Sequence, residues 1–321
     1  MKKISKSEMK KEFRLLEESN LMGVKGVLKI DSGKLGPVFG ITVCTHGNEL
    51  AGLAAVYYLR KIYNIKNKLL SGSIIIAVNN LEACKKALIA KSEFERLNSR
   101  YCDVNMNRLP RNLNKIHDDN RYEINRAKSL LSVWKMFDVA IDIHSTIQNN
   151  PPMVIARNNL DYRLIKNFPI DILITNIDKV QSGIPPAFGF YGNKKSTQTV
   201  GIEAGQHDSP SSQMVAVECI ITMMDAVGMI KKSQLVSKKK IFREYKVFGS
   251  VVFKDRKSRL SRVFKDFEPI KRGKLLAIKN DVKVYAQTDC CILMAPKGIR
   301  PVKINEEAIF LSQPMIKRII K

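Results

Sequence analysis

Hydrophobic residues follow two patterns along the first two thirds of the chain. Continuous apolar runs, typical of buried strands, stop abruptly at polar residues, and apolar residues at helical spacing follow them. Strands that alternate with helices predict an α/β fold with a largely parallel sheet. The predicted strands cover residues 24–30, 38–45, 73–78, 139–143, 170–177 and 199–202, and the predicted helices cover 6–19, 48–63, 81–89, 121–137 and 211–229.

The pattern changes after residue 230. Short strand-like runs replace the helices, and turns that contain Gly or Asn-Asp separate them. We therefore predict two domains, residues 1–230 and a small β domain of residues 231–321. A length of 321 residues fits this division, because a domain contains roughly 150 residues. The short strands are predicted at 245–253, 274–278, 282–286, 291–295 and 308–311.

Basic residues exceed acidic ones, with 55 Lys and Arg against 30 Asp and Glu, and the formal net charge is +25. Residues 231–280 contain 17 of the basic residues and only 4 of the acidic ones. This excess favours an anionic partner, such as nucleic acid or a membrane surface. Aromatic residues make up only 7% of the chain, however, so few side chains are available to stack on nucleic-acid bases.

Membrane insertion and secretion are not expected from the sequence. No stretch approaches the ~18 apolar residues that a transmembrane helix needs. The first 20 residues are charged and lack the apolar core of a secretory signal. The six cysteines form no Cys-x-x-Cys pair, and we interpret them as small buried thiols of a protein in the reducing cytoplasm.

Two of the four histidines follow predicted buried strands and have carboxylates near them. His46 and Glu49 are three residues apart, which on the first turn of a helix would place both side chains on one face. His144 follows a strand at 139–143, and Asp142 lies on the same side of that strand, where it would orient the imidazole. Imidazole and carboxylate groups are zinc ligands, so the two signals together predict a metal site. The H-x-x-E motif alone also fits an exposed histidine near a helix start.

Three further residues have the chemistry that a hydrolytic zinc site requires. Glu203 lies between two glycines at the end of an apolar strand, where it would serve as general base or pair with a buried basic group. Arg100 and Arg108 bracket a short polar turn. Arginine binds carboxylates in a forked geometry and stabilises oxyanions, although both residues also fit the surface of a basic protein.

The order of the motifs H-x-x-E, R-Y…N-R, D-x-H-x-T and G-I-E-x-G resembles the aspartoacylase and succinylglutamate desuccinylase family of zinc-carboxypeptidase-like hydrolases. The resemblance spans about residues 38–210, and the segments ILMAP and INEEAIFL resemble that family's small domain. It implies a three-layer α/β/α domain with a mixed, mostly parallel sheet and a small C-terminal β barrel-like domain.

The resemblance also implies the roles of five residues. His46, Glu49 and His144 would hold one Zn²⁺ per chain. Glu203 would activate the water bound to the zinc, and Arg100 would polarise the scissile carbonyl and stabilise the oxyanion. The reaction would be hydrolysis of the amide bond of an N-acyl amino acid, without a covalent intermediate.

The residues that would bind the substrate depart in part from the family's pattern. Asn107 and Arg108 would hold a substrate carboxylate. The family's further substrate arginine is replaced by Asn193, and the following Lys194 and Lys195 would act only as point charges. These departures leave open which acyl group and which amino acid the enzyme takes. Three other departures are Gln148 after the D-x-H motif, Asn105 in place of an aspartate, and Ile309-Phe310 in place of a tyrosine.

Two other functions stay open at this point. A zinc carboxypeptidase or a peptide amidase would use nearly the same residues on a peptide substrate. A basic protein that binds nucleic acid or a membrane surface through residues 231–280 would need no metal. The family forms dimers and larger assemblies, so a homo-oligomer is one expectation. His207 is interpreted as a surface histidine or a substrate contact, and His117 as a solvated loop residue.

Overall fold

The computed structural model of the chain describes residues 3–117, 119–194, 196–231, 240–299, 304–315 and 318–320. The strands are β1 (Asn20–Leu21), β2 (Val24–Lys25), β3 (Val27–Asp31), β4 (Val38–Val43), β5 (Ser73–Val78), β6 (Val139–Thr146), β7 (Met153–Ala156), β8 (Ile172–Thr175), β9 (Gln198–Gln206), β10 (Lys240–Val252), β11 (Arg259–Leu260), β12 (Pro269–Ile270), β13 (Leu275–Lys279), β14 (Val282–Tyr285), β15 (Cys290–Leu293), β16 (Glu307–Pro314) and β17 (Arg318–Ile320). The helices are α1 (Lys6–Glu18), α2 (Ala51–Tyr57), α3 (Ile65–Lys68), α4 (Leu81–Ile89), α5 (Glu93–Asn98), α6 (Tyr122–Trp134), α7 (Ile177–Val180), α8 (Pro186–Gly189) and α9 (Pro210–Ala226).

The chain forms two compact units. The first unit contains Met1–Asp171, Gly183–Lys240 and Ile319–Lys321, and the second contains Ile172–Ser182 and Ile241–Arg318. Most of the second unit lies after residue 230, where the sequence pattern changes. It also includes the segment 172–182, which the sequence analysis assigned to the first domain.

The sheet of the first unit is mixed, with the strand order β3-β5-β4-β6-β9-β7. Strands β5, β4, β6 and β9 are parallel to one another, and β3 and β7 are antiparallel to their neighbours at the two sides. The predicted mixed α/β fold with a mostly parallel sheet is therefore confirmed. Because β4, β6 and β9 run in the same direction, the residues that follow their carboxyl ends lie at one edge of the sheet.

Both faces of this sheet are covered by helical segments. A Cβ atom on Gly52 of α2 would lie 2.7 Å from Val43 on one face of β4. A Cβ atom on Gly40, three residues earlier in the same strand, would lie 2.6 Å from the ring of Phe137, which follows α6. Residues three apart in a strand point to opposite faces, so the two contacts belong to opposite sides of the sheet. Close packing on both sides explains why these strands read as continuous apolar runs.

The second unit is built from strands, as the sequence predicts; most are short, but β10 has 13 residues. In one sheet β10 pairs with β8 in parallel and with β16 in antiparallel orientation, and β15 and β12 continue the antiparallel part. A separate sheet has the order β11-β13-β14. Side chains from both sheets form one hydrophobic core, which includes Val251, Phe253, Leu260, Phe264, Leu276, Ile292 and Ile309.

Two further predictions from the sequence are tested by the described residues. Within them, no helix is both long enough and apolar enough to cross a membrane. All six cysteines are free thiols, and only Cys102 is not fully buried. Five of the six cysteines are thus small buried side chains, as predicted, and Cys102 is half-buried.

Candidate metal centre

A tight turn after β4 carries His46 and Glu49. The sequence predicted both residues on the first turn of a helix from residue 48, but α2 begins only at Ala51. The two side chains instead lie on the turn itself, which is closed by a hydrogen bond from the Glu49 N–H to the His46 carbonyl at 3.1 Å. The prediction of a helical first turn was therefore wrong, although the spacing still brings both side chains to one side.

Gly47 allows this turn because there is no room for a side chain. A Cβ atom at this position would lie 2.2 Å from the carbonyl carbon of Ala83 and 2.5 Å from the carbonyl oxygen of Ser99. The Gly47 N–H also donates a hydrogen bond of 2.9 Å to the carbonyl of Arg100. The turn is thus packed directly against the start of α4 and against the segment that carries Arg100.

Three side chains converge from the ends of β4 and β6. Nδ1 of His46 lies 2.8 Å from Oε1 of Glu49, and Nδ1 of His144 lies 2.8 Å from Oε2 of the same carboxylate. One ligand atom from each residue lies within 4.8 Å of the other two, and all three residues are buried. The structure therefore brings together the three residues that the sequence predicted as metal ligands.

The outer nitrogen of each imidazole is held by a neighbouring side chain. Nε2 of His144 lies 3.1 Å from Oδ2 of Asp142, and Nε2 of His46 lies 2.9 Å from Oδ1 of Asn105. Such partners fix the orientation of a ligating histidine and leave its other nitrogen for the metal. The sequence predicted the role of Asp142 but not that of Asn105, because nothing in a loop pattern shows which residue it faces.

Asp142 is itself fixed by a buried hydrogen-bond network. Its Oδ1 accepts hydrogen bonds from the hydroxyls of Thr42 and Thr45, at 2.8 and 3.0 Å. The amide of Asn79 donates to the hydroxyls of Thr45 and Tyr191, at 2.8 and 3.0 Å. This network extends to the indole of Trp134, which donates to the Asn79 carbonyl oxygen at 3.2 Å. His144 is therefore connected through side chains to the core of the first unit.

The charges at the cluster suit a cation. Burial would raise the pKa of Glu49, but His46 and His144 hold it well below its usual value, so the carboxylate is ionised. Burial would lower the pKa of His144, but the carboxylates of Asp142 and Glu49 raise it well above its usual value. Burial and the charge of Arg100 lower the pKa of His46. An ion bound to these residues would take the place of the proton that the carboxylates hold on His144.

Glu203 lies opposite His144 in the pairing of β6 with β9. The pKa of Glu203 is raised to about 8. Burial is the largest cause, and the nearby negative charge of Glu49 adds to it. Its Oε2 is buried and has no hydrogen-bond partner among the described residues. A carboxyl group with a raised pKa beside a cluster of ligands is suited to accept and return a proton.

The arginines that the sequence singled out lie on the segment that follows α5. Arg100 donates a hydrogen bond of 2.8 Å from Nη1 to Oε1 of Glu49, which places it at the cluster. Asn107 and Arg108 belong to a short 3-10 turn, Met106–Arg108, and Nη1 of Arg108 donates to the Asn107 carbonyl at 2.9 Å. The Asn107 N–H donates to Asn105, which in turn contacts His46, so the turn is joined to the cluster.

Lys194 lies elsewhere. Its ammonium group forms an ion pair of 3.0 Å with Asp138, which precedes β6. His144 is near the other end of that strand, and six residues of strand span roughly 20 Å. The structure therefore does not bring Lys194 to the cluster, and Lys195 is outside the described residues.

The interpretation of His207 as a surface histidine was wrong. Its ring is buried, with Nδ1 at 2.8 Å from the hydroxyl of Ser145 and Nε2 at 3.4 Å from the amide nitrogen of Asn48. Burial lowers its pKa to about 4. Sequence patterns gave no signal for this contact, because Ser145 is 62 residues away. His117 is exposed, as predicted.

The donor set fits zinc. Two imidazole nitrogens and one carboxylate oxygen are the three protein ligands of many catalytic zinc sites, which keep a fourth position open. The two imidazoles here have their outer nitrogens held, and both present Nδ1 to the same carboxylate. The side chains alone therefore show a site that suits one divalent ion with an adjacent carboxyl group.

Solved structures of known enzymes share the fold. Succinylglutamate desuccinylase from Vibrio cholerae superposes with a TM-score of 0.67 at 14% sequence identity, covering 90% of this chain and 85% of that one. The product-bound ectoine utilization protein EutE (DoeB) from Ruegeria pomeroyi gives 0.60 at 18% identity, covering 89% and 88%. Murine aminoacylase 3 gives 0.59 at 18% identity, covering 90% and 98%.

The sequence itself also matches a family. A search of curated protein sequences finds no match to this chain. The family described as the succinylglutamate desuccinylase/aspartoacylase catalytic domain matches residues 36–217, which is more than half of the chain and contains the whole cluster. The resemblance inferred from the motifs is thereby confirmed, and the chain belongs to the succinylglutamate desuccinylase/aspartoacylase family.

Proposed function

We propose that the protein is a zinc-dependent hydrolase that cleaves the amide bond of N-acyl amino acids. The observation that carries this proposal is the convergence of Nδ1 of His46, Nδ1 of His144 and the Glu49 carboxylate, with Glu203 opposite His144. The family match, and the names of solved relatives such as succinylglutamate desuccinylase and aminoacylase 3, support the same substrate class.

The proposed chemistry assigns one role to each group. Zinc held by the three ligands would supply Lewis acidity to the scissile carbonyl and lower the pKa of water. Glu203 takes the proton of the attacking water and returns it to the amide nitrogen as the C–N bond breaks. Arg100, once released from Glu49, donates to the oxyanion that develops on the carbonyl oxygen. The products are a free carboxylate and a free amino acid.

Asn107 and Arg108 are proposed to hold a carboxylate of the substrate. Their 3-10 turn is tied to the cluster through Asn105, which contacts both the Asn107 N–H and His46. Binding at a fixed distance from the cluster would place the amide bond next to Glu203.

The free thiols fit the proposed cytoplasmic location, since thiols persist in reducing compartments.

The first experiment measures zinc content and hydrolysis together. The purified protein is expected to contain one zinc per chain and to lose activity in a chelator. The Glu203→Gln variant is expected to keep its zinc and lose about 10²–10⁴-fold in kcat, because a general base is removed. The His144→Ala variant is expected to lose its zinc, whereas His117→Ala, at an exposed histidine, keeps it.

The outcomes separate the alternatives. Loss of zinc in Glu203→Gln would show that Glu203 is a ligand and would contradict its role as base. Hydrolysis of dipeptides but not of acyl amino acids would assign the same site to a carboxypeptidase or peptide amidase. Zinc retained by His144→Ala would remove His144 from the ligand set.

A further inference from the structure

A buried carboxylate binds the middle of the segment that begins at Arg100. Glu123 lies in the first turn of α6, and its side chain is fully buried. Its Oε1 accepts a hydrogen bond of 2.6 Å from the Cys102 N–H. Its Oε2 accepts hydrogen bonds of 3.0 and 3.1 Å from the N–H groups of Asp103 and Val104. Three consecutive backbone groups are therefore bound to one side chain of another element.

The contact between this segment and α6 is reciprocal. The first N–H groups of a helix have no partner within the helix. Here the N–H of Tyr122, the first residue of α6, donates a hydrogen bond of 2.6 Å to Oδ2 of Asp103. The segment thus caps the helix, and the helix binds the segment through Glu123. The position of residues 102–104 is therefore set by α6.

The fourth group that bonds to Glu123 connects it to the turn after β4. The amide nitrogen of Asn80 donates a hydrogen bond of 2.9 Å to Oε1 of Glu123. The carbonyl oxygen of the same amide accepts from the Ala83 N–H at the start of α4, which fixes its orientation. The Asn80 backbone N–H donates at 3.1 Å to the carbonyl of Cys44, two residues before His46. Glu123 therefore links the segment to the turn that carries two of the proposed ligands.

The four groups that bond to Glu123 are all donors. A carboxylate has two oxygens that only accept, so it can satisfy all four at once. A glutamine of the same size would turn an NH₂ group toward at least one of these donors and would leave buried N–H groups unpaired. The surroundings of Glu123 therefore require a carboxylate.

We infer that Glu123 is a positioning residue for the proposed reaction. Residues 102–104 lie between Arg100, which contacts Glu49, and the 3-10 turn with Asn107 and Arg108. By holding the residues between them, Glu123 keeps the oxyanion donor and the two carboxylate contacts at fixed positions relative to the cluster. This inference rests on the proposed function, which assigns those roles. A displacement of about 1 Å at such groups lowers a reaction rate by roughly 10²-fold.

The test is the Glu123→Gln variant of the zinc-loaded protein, with the N-acyl-L-amino acid that the parent hydrolyses fastest. We expect kcat/KM to decrease by about 10²-fold. KM is expected to rise because Asn107 and Arg108 are displaced, and kcat per folded molecule to fall because Arg100 is displaced. The zinc content should stay that of the parent, since the hydrogen bonds of Glu123 go to residues outside the proposed ligand set.

Two further variants separate positioning from folding. Glu12→Gln is the matched control, because Glu12 is also a buried helical glutamate and accepts a hydrogen bond of 2.7 Å from Arg60. A purely structural loss lowers the folded fraction and leaves KM unchanged, so this variant should keep the KM of the parent. Glu123→Asp keeps two accepting oxygens on a shorter side chain and is expected to recover part of the activity lost in Glu123→Gln. If Glu123→Gln did not fold, Glu123→Asp would serve for the comparison, with a raised KM expected.

Hydrogen exchange of the backbone amides of residues 102–104 gives a readout that does not depend on activity. In Glu123→Gln these amides are expected to exchange at least about tenfold faster than in the parent, whereas Glu12→Gln should leave their exchange unchanged. If the parent hydrolysed no N-acyl amino acid, the proposed function would fail, and exchange would still decide whether Glu123 holds the segment.

Three results would overturn the inference. An unchanged KM in the folded Glu123 variants would show that the residue does not position the substrate contacts. Exchange as slow as in the parent would show that the segment is held without Glu123. A Glu123→Gln variant as active as the parent would refute the requirement for a carboxylate.

Discussion

Replacement of Gly47 by alanine tests whether the turn after β4 assembles the cluster. The added methyl group would lie 2.2 Å from the carbonyl carbon of Ala83 and 2.5 Å from the carbonyl oxygen of Ser99. Ordinary van der Waals contact begins at 3.4 Å, so both neighbours would have to move by about 1 Å. Because both atoms belong to the backbone, neither can rotate away as the end of a flexible side chain would.

The expected effect on stability is large. Overpacking a dense interior raises the free energy of the folded state by about 1–3 kcal/mol, and backbone neighbours favour the upper end of that range. A loss of about 3 kcal/mol corresponds to a decrease in Tm of roughly 6–12 °C for a unit of this size. Displacement of the turn would also move His46 relative to Glu49, so zinc affinity is expected to fall.

The assay is thermal and denaturant unfolding of the metal-free protein, followed by zinc titration. Gly201→Ala is the control, because a Cβ atom there would lie 3.6 Å from Ile155, in ordinary contact. Gly201→Ala should be as stable as the parent or more stable by up to about 1 kcal/mol, because an alanine there fits and restricts the unfolded chain. If Gly47→Ala were as stable as Gly201→Ala and bound zinc equally well, the steric argument for the turn would be refuted.

Two other predictions concern charge at the cluster. Asn105→Asp keeps an acceptor for His46 and for the Asn107 N–H but adds a negative charge. Zinc affinity, measured by competition with a chelator, should therefore rise by about 10-fold or more. Unchanged affinity would contradict the role of Asn105. In the metal-free protein the pKa of Glu203 is raised from 4.5 to about 8. Between these two pH values the folded state binds a proton that the unfolded chain has released. The free energy of unfolding therefore falls as the pH rises from 4.5 to about 8. Metal-free Glu203→Gln should therefore gain stability over the parent between pH 4.5 and 8, as measured by denaturant unfolding in a chelator; a difference independent of pH would show that Glu203 does not titrate there.

The residues at strand ends could be predicted from the sequence because their signals are local. His46 and His144 each follow an apolar run that stops at a polar residue, and parallel strands bring such ends together. Glu203 follows the same rule on β9. The two histidines could therefore be identified without knowing any loop conformation, whereas Glu49 lies on a turn whose conformation was predicted wrongly.

Contacts between segments that are far apart along the chain could not be predicted in this way. Asn105 contacts His46, 59 residues earlier in the chain, and Arg96 pairs with Asp208, 112 residues later. No periodicity of the sequence relates positions so far apart. Lys194 was expected near the substrate but pairs with Asp138, because its position relative to the sheet depends on the path of a loop. Helix α5 has no buried residues and β7 has only four residues, so neither produced a recognisable pattern.

The network that links His144 to Trp134 has a consequence for how substrate preference can change. Since the ligands and their supports are part of a dense, hydrogen-bonded interior, most substitutions there would disturb folding and ion binding together. Changes in substrate preference are therefore expected at half-buried positions outside this network, such as the proposed substrate contacts Asn107 and Arg108, where a substitution should cost less stability.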